Sequence, residues 1–69
     1  MSMSVTINVN GQKREVAPGT TLRQLAQELS LSPEKVAIEL NRRLVRAEKL
    51  DSLLAAGDEV EIVTFVGGG

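Results

Sequence analysis

The residues with the most chemical potential in this sequence are the last five, Phe65-Val66-Gly67-Gly68-Gly69, which follow an apolar, strand-like run and offer a carboxylate on Gly69. A carboxylate does not react with nucleophiles until it is activated. Once ATP has converted it to an acyl-adenylate, a thiol or persulfide can take the acyl group. Glycine suits such a task because, lacking a Cβ, it lies extended in a slot too narrow for any side chain and tolerates backbone angles that other residues avoid. Three extended glycines also give reach, roughly 10 Å at about 3.3–3.6 Å per residue. On this reading residues 1–66 form a body, and 67–69 form a flexible tail that the last strand aims at a partner.

The rest of the inventory holds little that could do chemistry. There is no Cys and no His among the 69 residues, so the usual nucleophile–base pairs and soft-metal sites cannot be assembled. No catalytic residue and no metal site is expected, and the chain is not read as an enzyme. Glu59 and Glu61, at strand spacing, share one face and read as surface charge. Eight Lys plus Arg against nine Asp plus Glu give a net charge of −1, with Phe65 the one aromatic residue. Without a basic block or an aromatic platform, nucleic acid is not an expected partner. No apolar run approaches the roughly 20 residues needed to cross a bilayer, and nothing at the N-terminus reads as a signal peptide. A cytoplasmic location with no membrane partner follows as the expectation.

The elements that must position the tail are legible from apolar spacing. Met3, Val5, Ile7 and Val9 alternate with polar residues at the period of a half-buried strand. Asn10-Gly11 then predicts a tight hairpin turn, since such a turn requires positive φ at both central residues. A polar return strand runs from Gln12 to Val16 as an edge, and Pro18-Gly19 ends it. Thr20 or Thr21 caps a helix whose apolar residues Leu22, Leu25, Ala26 and Leu29 fall at i, i+3, i+4 and i+7. Ser32-Pro33-Glu34 predicts a helical turn with Ser as cap and Pro at its first position. Val36, Ile38 and Leu40 mark a third strand, Asn41-Arg42-Arg43 a turn, and Leu44-Val45 the stub of a fourth strand. Residues 46–56 read as an irregular link with a turn of helix near 48–53. Gly57-Asp58 opens the final strand, which places Val60, Ile62 and Thr64 on one face and Glu59, Glu61, Val63 and Phe65 on the other.

A chain this short must gather all its apolar stripes into one layer contact, since no disulfide or metal is available to staple it. Nine Leu, eight Val and three Ile supply that core. One helix laid across one face of a mixed four- to five-stranded sheet is the smallest arrangement that does so. With the first and last strands adjacent and parallel, and the helix in the crossover between them, this is an α+β architecture of the β-grasp, or ubiquitin-like, kind.

Asn10-Gly11, Pro18-Gly19-Thr20-Thr21-Leu22, Val36-Ala37-Ile38-Glu39-Leu40-Asn41, Gly57-Asp58-Glu59-Val60-Glu61-Ile62-Val63 and the glycine end together resemble the ThiS sulfur carriers of thiamine biosynthesis, over nearly the whole chain. The resemblance implies that an E1-like adenylyltransferase, using ATP and Mg²⁺, adenylates the Gly69 carboxylate. A sulfur donor such as a cysteine desulfurase persulfide then turns it into a thiocarboxylate, and thiazole synthase receives the sulfur. No cofactor is bound by the carrier itself. Gly69 would carry the sulfur, Gly68 would complete the Gly-Gly pair, and Gly67 would add to that minimum. Arg42 departs from the small residue or Gly that the family often has after the Asn. The molybdopterin-synthase small subunit shares the fold and tail chemistry, but it tends to approach the tail through a Pro-containing segment, and no Pro follows Pro33 here. A ubiquitin-like protein modifier is the other alternative, because its chemistry is the same up to the adenylate.

Two surface features bear on partners. Val63 and Phe65, on the face away from the helix, would form an apolar docking patch beside the tail; a bulge at the strand end would instead return Phe65 to the core. Arg42, Arg43 and Arg46 cluster around a turn and read as a solvated face that adds little.

Overall fold

A computed structural model describes residues 3–65. Strand β1 (Val5–Val9) pairs antiparallel with β2 (Gln12–Val16), with Val5 opposite Val16 and Val9 opposite Gln12. Asn10 and Gly11 join them at φ 51° and 83°, the left-handed pair that a two-residue hairpin turn needs. Helix α1 (Leu22–Glu28) follows. At seven residues it is too short to be stable alone, and its ends are accordingly well satisfied. Thr21 is the cap: its Oγ1 accepts from the Gln24 N–H at 3.1 Å while the Gln24 Oε1 accepts from the Thr21 N–H at 2.9 Å, a reciprocal capping box. Two further helix-start amides donate outside the helix, Leu22 N–H to the Ser52 carbonyl and Arg23 N–H to the Leu50 carbonyl. The other end closes with Ser30 at φ 61°. There the Ser30 N–H donates to the Gln27 carbonyl and the Leu31 N–H to the Ala26 carbonyl, the Schellman pattern usually built on glycine.

A 3₁₀ turn at Pro33–Lys35 leads into β3 (Val36–Leu40). Ser32 stands at the cap position of that turn, yet its side chain makes no capping bond; a single turn leaves few orphan amides for it to serve. β4 is Arg43–Leu44, one residue earlier than Leu44-Val45, because the turn uses only Asn41 and Arg42, at φ 52° and 71°. The link to the last strand carries a 3₁₀ turn at Ala47–Lys49, shorter and earlier than the helical turn expected near 48–53. Its Leu50 and Leu54 enter the core and its Leu53 bridges to Thr21. β5 is Glu59–Thr64, preceded by a turn in which the Asp58 carboxylate accepts from the Ala55 N–H at 2.8 Å.

The sheet order is β2-β1-β5-β3-β4, with β5 parallel to β1 and antiparallel to β3. This is the expected five-stranded β-grasp. Ile7 and Val16 from the first hairpin, Leu22, Leu25 and Ala26 from α1, Ile38, Val60 and Ile62 from the sheet, and Leu50 and Leu54 from the link form its buried core. Among the described residues no helix is long and apolar enough to cross a membrane.

Candidate functional site

The tail is attached to β5, so the site begins with how that strand is held. β5 is central. On one side β3 pairs with it from Thr64 to Val60; on the other, β1 pairs only Asn8 with Glu59 and Val9 with Val60. Pleating sends Val60 and Ile62 inward and leaves Glu59, Glu61 and Val63 exposed. Thr64, expected inside with Ile62, is exposed: it pairs with the half-buried Val36 on the last rung of the sheet, at the margin of the core.

Val63 and Phe65 are 59% and 66% exposed, so Phe65 does not return to the core and both are accessible at the end of β5. The register brings further residues to the face of Val63. Ala37 stands opposite Val63, Glu39 opposite Glu61, and Leu44 opposite Glu39. The helix-free side of the sheet therefore carries exposed Val63 and Leu44 with Glu39, Glu59 and Glu61 around them. Carboxylates directly opposite one another across two strands disfavour the sheet slightly, so Glu39 and Glu61 do nothing for its stability. Leu44 is an addition that sequence alone did not supply. Its signal was present in the turn length, since a two-residue turn fixes which of Arg43 and Leu44 faces outward. Gly67, Gly68 and Gly69, the expected recognition and reaction positions, lie outside the described residues.

Two asparagines, read from sequence only as turn formers, also touch this strand. The Asn10 side chain accepts from the Ile62 N–H at 2.8 Å and donates to the Ile62 carbonyl at 3.3 Å. The Asn41 side chain accepts from the Glu59 N–H at 2.9 Å and donates to the Asp58 carboxylate at 3.1 Å. Elsewhere the described residues hold no cluster of His, Cys, Asp or Glu suited to a metal ion. A shallow groove lies between the Asn10-Gly11 turn and β5, lined by Asn8, Asn10, Gly11 and residues 59–63.

A five-stranded mixed sheet whose last strand is central and parallel to the first, with one helix behind it, defines a ubiquitin-like β-grasp protein. The model of the ThiS family matches residues 7–69, the glycines included, and the chain belongs to that family. Its structure is similar to the crystal structure of a thiamine biosynthesis protein (ThiS) from Geobacter metallireducens, at TM-score 0.77 and 32% identity over 94% of this chain and all of the other. It also resembles ubiquitin of Caldiarchaeum subterraneum at TM-score 0.56 and 19% identity over the whole of both chains, a likeness of fold. In sequence it is 39% identical over 64 residues to a thiazole synthase of Magnetococcus marinus, covering 91% of this chain and 20% of that protein. This chain thus spans about a fifth of the length of the thiazole synthases it matches.

Proposed function

We propose that this protein is a sulfur carrier of thiamine biosynthesis whose working group is the Gly69 carboxylate. The observation that carries the reading is the family match, which runs through the sheet and on to Gly69. In the first step the carboxylate oxygen attacks the α-phosphorus of ATP in an E1-like adenylyltransferase with Mg²⁺, and pyrophosphate leaves. A persulfide sulfur, from a donor of the cysteine desulfurase type, then displaces AMP at the acyl carbon. Cleavage of the remaining S–S bond by a second thiol leaves the thiocarboxylate.

Thiazole synthase takes up the sulfur. A segment similar to this chain within the thiazole synthase of Magnetococcus marinus supports that pairing. The carrier contributes no catalytic side chain. Its part is to present Gly67 and Gly68 to a narrow cleft and to dock through exposed apolar residues, Val63 on β5, Phe65 just past its end and Leu44 on β4 across β3. We place this chemistry in the cytoplasm, where a chain without cysteine needs no oxidising compartment to fold.

The test is intact-mass spectrometry of protein recovered from cells engaged in thiamine synthesis. An oxygen-to-sulfur mass gain on the peptide ending at Gly69 is expected. An unmodified peptide, or one found branched onto lysines of other proteins, would overturn the assignment.

A further inference from the structure

β5 runs four residues past Val60, the last of its residues with a register partner on β1, Val9. On that side the strand loses its neighbour, because the chain turns away at Asn10-Gly11. Asn10 fills part of the gap. Its main-chain N–H donates to the Val60 carbonyl at 2.8 Å, and its side-chain amide then exchanges both hydrogen bonds with Ile62. A carboxamide offers one acceptor and one donor in the arrangement of a peptide group. The side chain thus stands where the next residue of β1 would have stood.

We propose that Asn10 is a positioning residue for the tail. By fixing the main chain of Ile62, three residues before Phe65, it sets the direction and stiffness with which the glycines reach the adenylating partner. The inference rests on the sulfur-carrier reading of Gly69. Asparagine combines the needed properties: it tolerates the left-handed φ of 51°, and its amide both donates and accepts. Glycine would keep the turn and lose the brace, and aspartate would keep the acceptor and lose the donor. Asn41 supplies an internal comparison. It occupies the same place in the other hairpin turn, at φ 52°, and grips Glu59 at the start of β5. There the β1 main chain also holds the strand, through the Asn8 N–H to the Asp58 carbonyl at 2.9 Å; at Ile62 no β1 residue takes over from Asn10.

Without the brace, β5 beyond Val60 is held from β3 alone and samples conformations that a partner cannot accept. The apparent affinity then falls by the fraction of competent molecules. Two hydrogen bonds of ordinary strength correspond to roughly tenfold. The partner's cleft orders the tail once bound, so the effect falls on KM and spares kcat.

The experiment compares wild type, Asn10→Gly and Asn10→Asp in the partner's ATP–pyrophosphate exchange, together with amide hydrogen exchange of Ile62 by NMR. Asn10→Gly is expected to raise KM for the carrier about tenfold at similar kcat and to speed exchange at Ile62. Asn10→Asp should recover most of both. A KM unchanged by Asn10→Gly, or one raised while Ile62 stays protected, overturns the proposal. Wild-type protein that supports no exchange instead overturns the sulfur-carrier reading, and Ile62 protection then still decides whether the brace exists.

Discussion

Replacing Phe65 by serine separates docking from folding. The residue is 66% exposed, so the fold covers about a third of it. Of the roughly 200 Å² that a phenylalanine can bury, about 65 Å² is therefore already withdrawn from water. At about 25 cal/mol per Å², that contact is worth at most about 1.6 kcal/mol to the domain. In a domain of this size each kcal/mol moves Tm by about 4–8 °C, so Phe65→Ser should lower Tm by no more than about 13 °C. A partner that covers the remaining two thirds gains about 3 kcal/mol from the ring. Hot-spot aromatics typically contribute 2 kcal/mol or more, so affinity should drop at least about thirtyfold. Calorimetric titration of the variant against thiazole synthase and against the adenylating enzyme, alongside a melting curve, reads both quantities. Unchanged affinity for both partners with a collapsed Tm would refute the argument and move Phe65 into the fold's own packing.

Other expectations follow from burial and backbone geometry. Leu25, wholly buried under the sheet, should lose about 2–5 kcal/mol on truncation to alanine, much of the roughly 3.5–10 kcal/mol available to a chain of 69 residues. Leu53→Ala, at a site 66% exposed, should stay within about 0.5 kcal/mol in the same urea titration; equal losses at both would mean the helix face is misassigned. Gly68→Val should abolish thiocarboxylate formation while Tm holds, and a falling Tm would make the tail part of the fold. Ser30→Gly relieves a left-handed residue at the end of α1 and should stabilise by up to about 1 kcal/mol in the same titration; an unchanged or lower stability would refute that strain.

Apolar spacing carried most of this architecture. The alternation in Val5–Val9, the Asn10-Gly11 pair and the i, i+3, i+4 pattern of Leu22, Leu25 and Ala26 are local signals, and each produced the element it implies at nearly its observed bounds. The face of Val63 was equally readable from period two. What was not readable depended on partners distant in sequence. The turn at Asn41-Arg42-Arg43 was readable but, without a glycine, its two-residue length was not; the Asn41 side chain holds it through bonds to Glu59 and Asp58, 18 and 17 residues away. Thr64 follows the period of Val60 and Ile62 but falls at the margin of the core. Residues 46–56 lack periodicity because their task is to close the open end of the core and to satisfy the first amides of α1, which Ser52 and Leu50 do through main-chain carbonyls. The Asn10 brace spans 52 positions, and a turn signature could not disclose it.

The strand order has a consequence for how the molecule comes into being. β1 and β3 are never neighbours; β5 lies between them and joins the first hairpin to the second. During synthesis each hairpin can therefore form early, while the sheet stays in two halves until the final strand has emerged and slid into the space between them. Closing contacts of such long sequence separation is the slow part of folding. The strand that completes the sheet is also the one that leads in sequence to the glycines, so the exposed face that carries Val63 forms only when the sheet closes. A partner that requires both the Val63 face and the tail would then act on finished carriers and pass over nascent or unfolded ones.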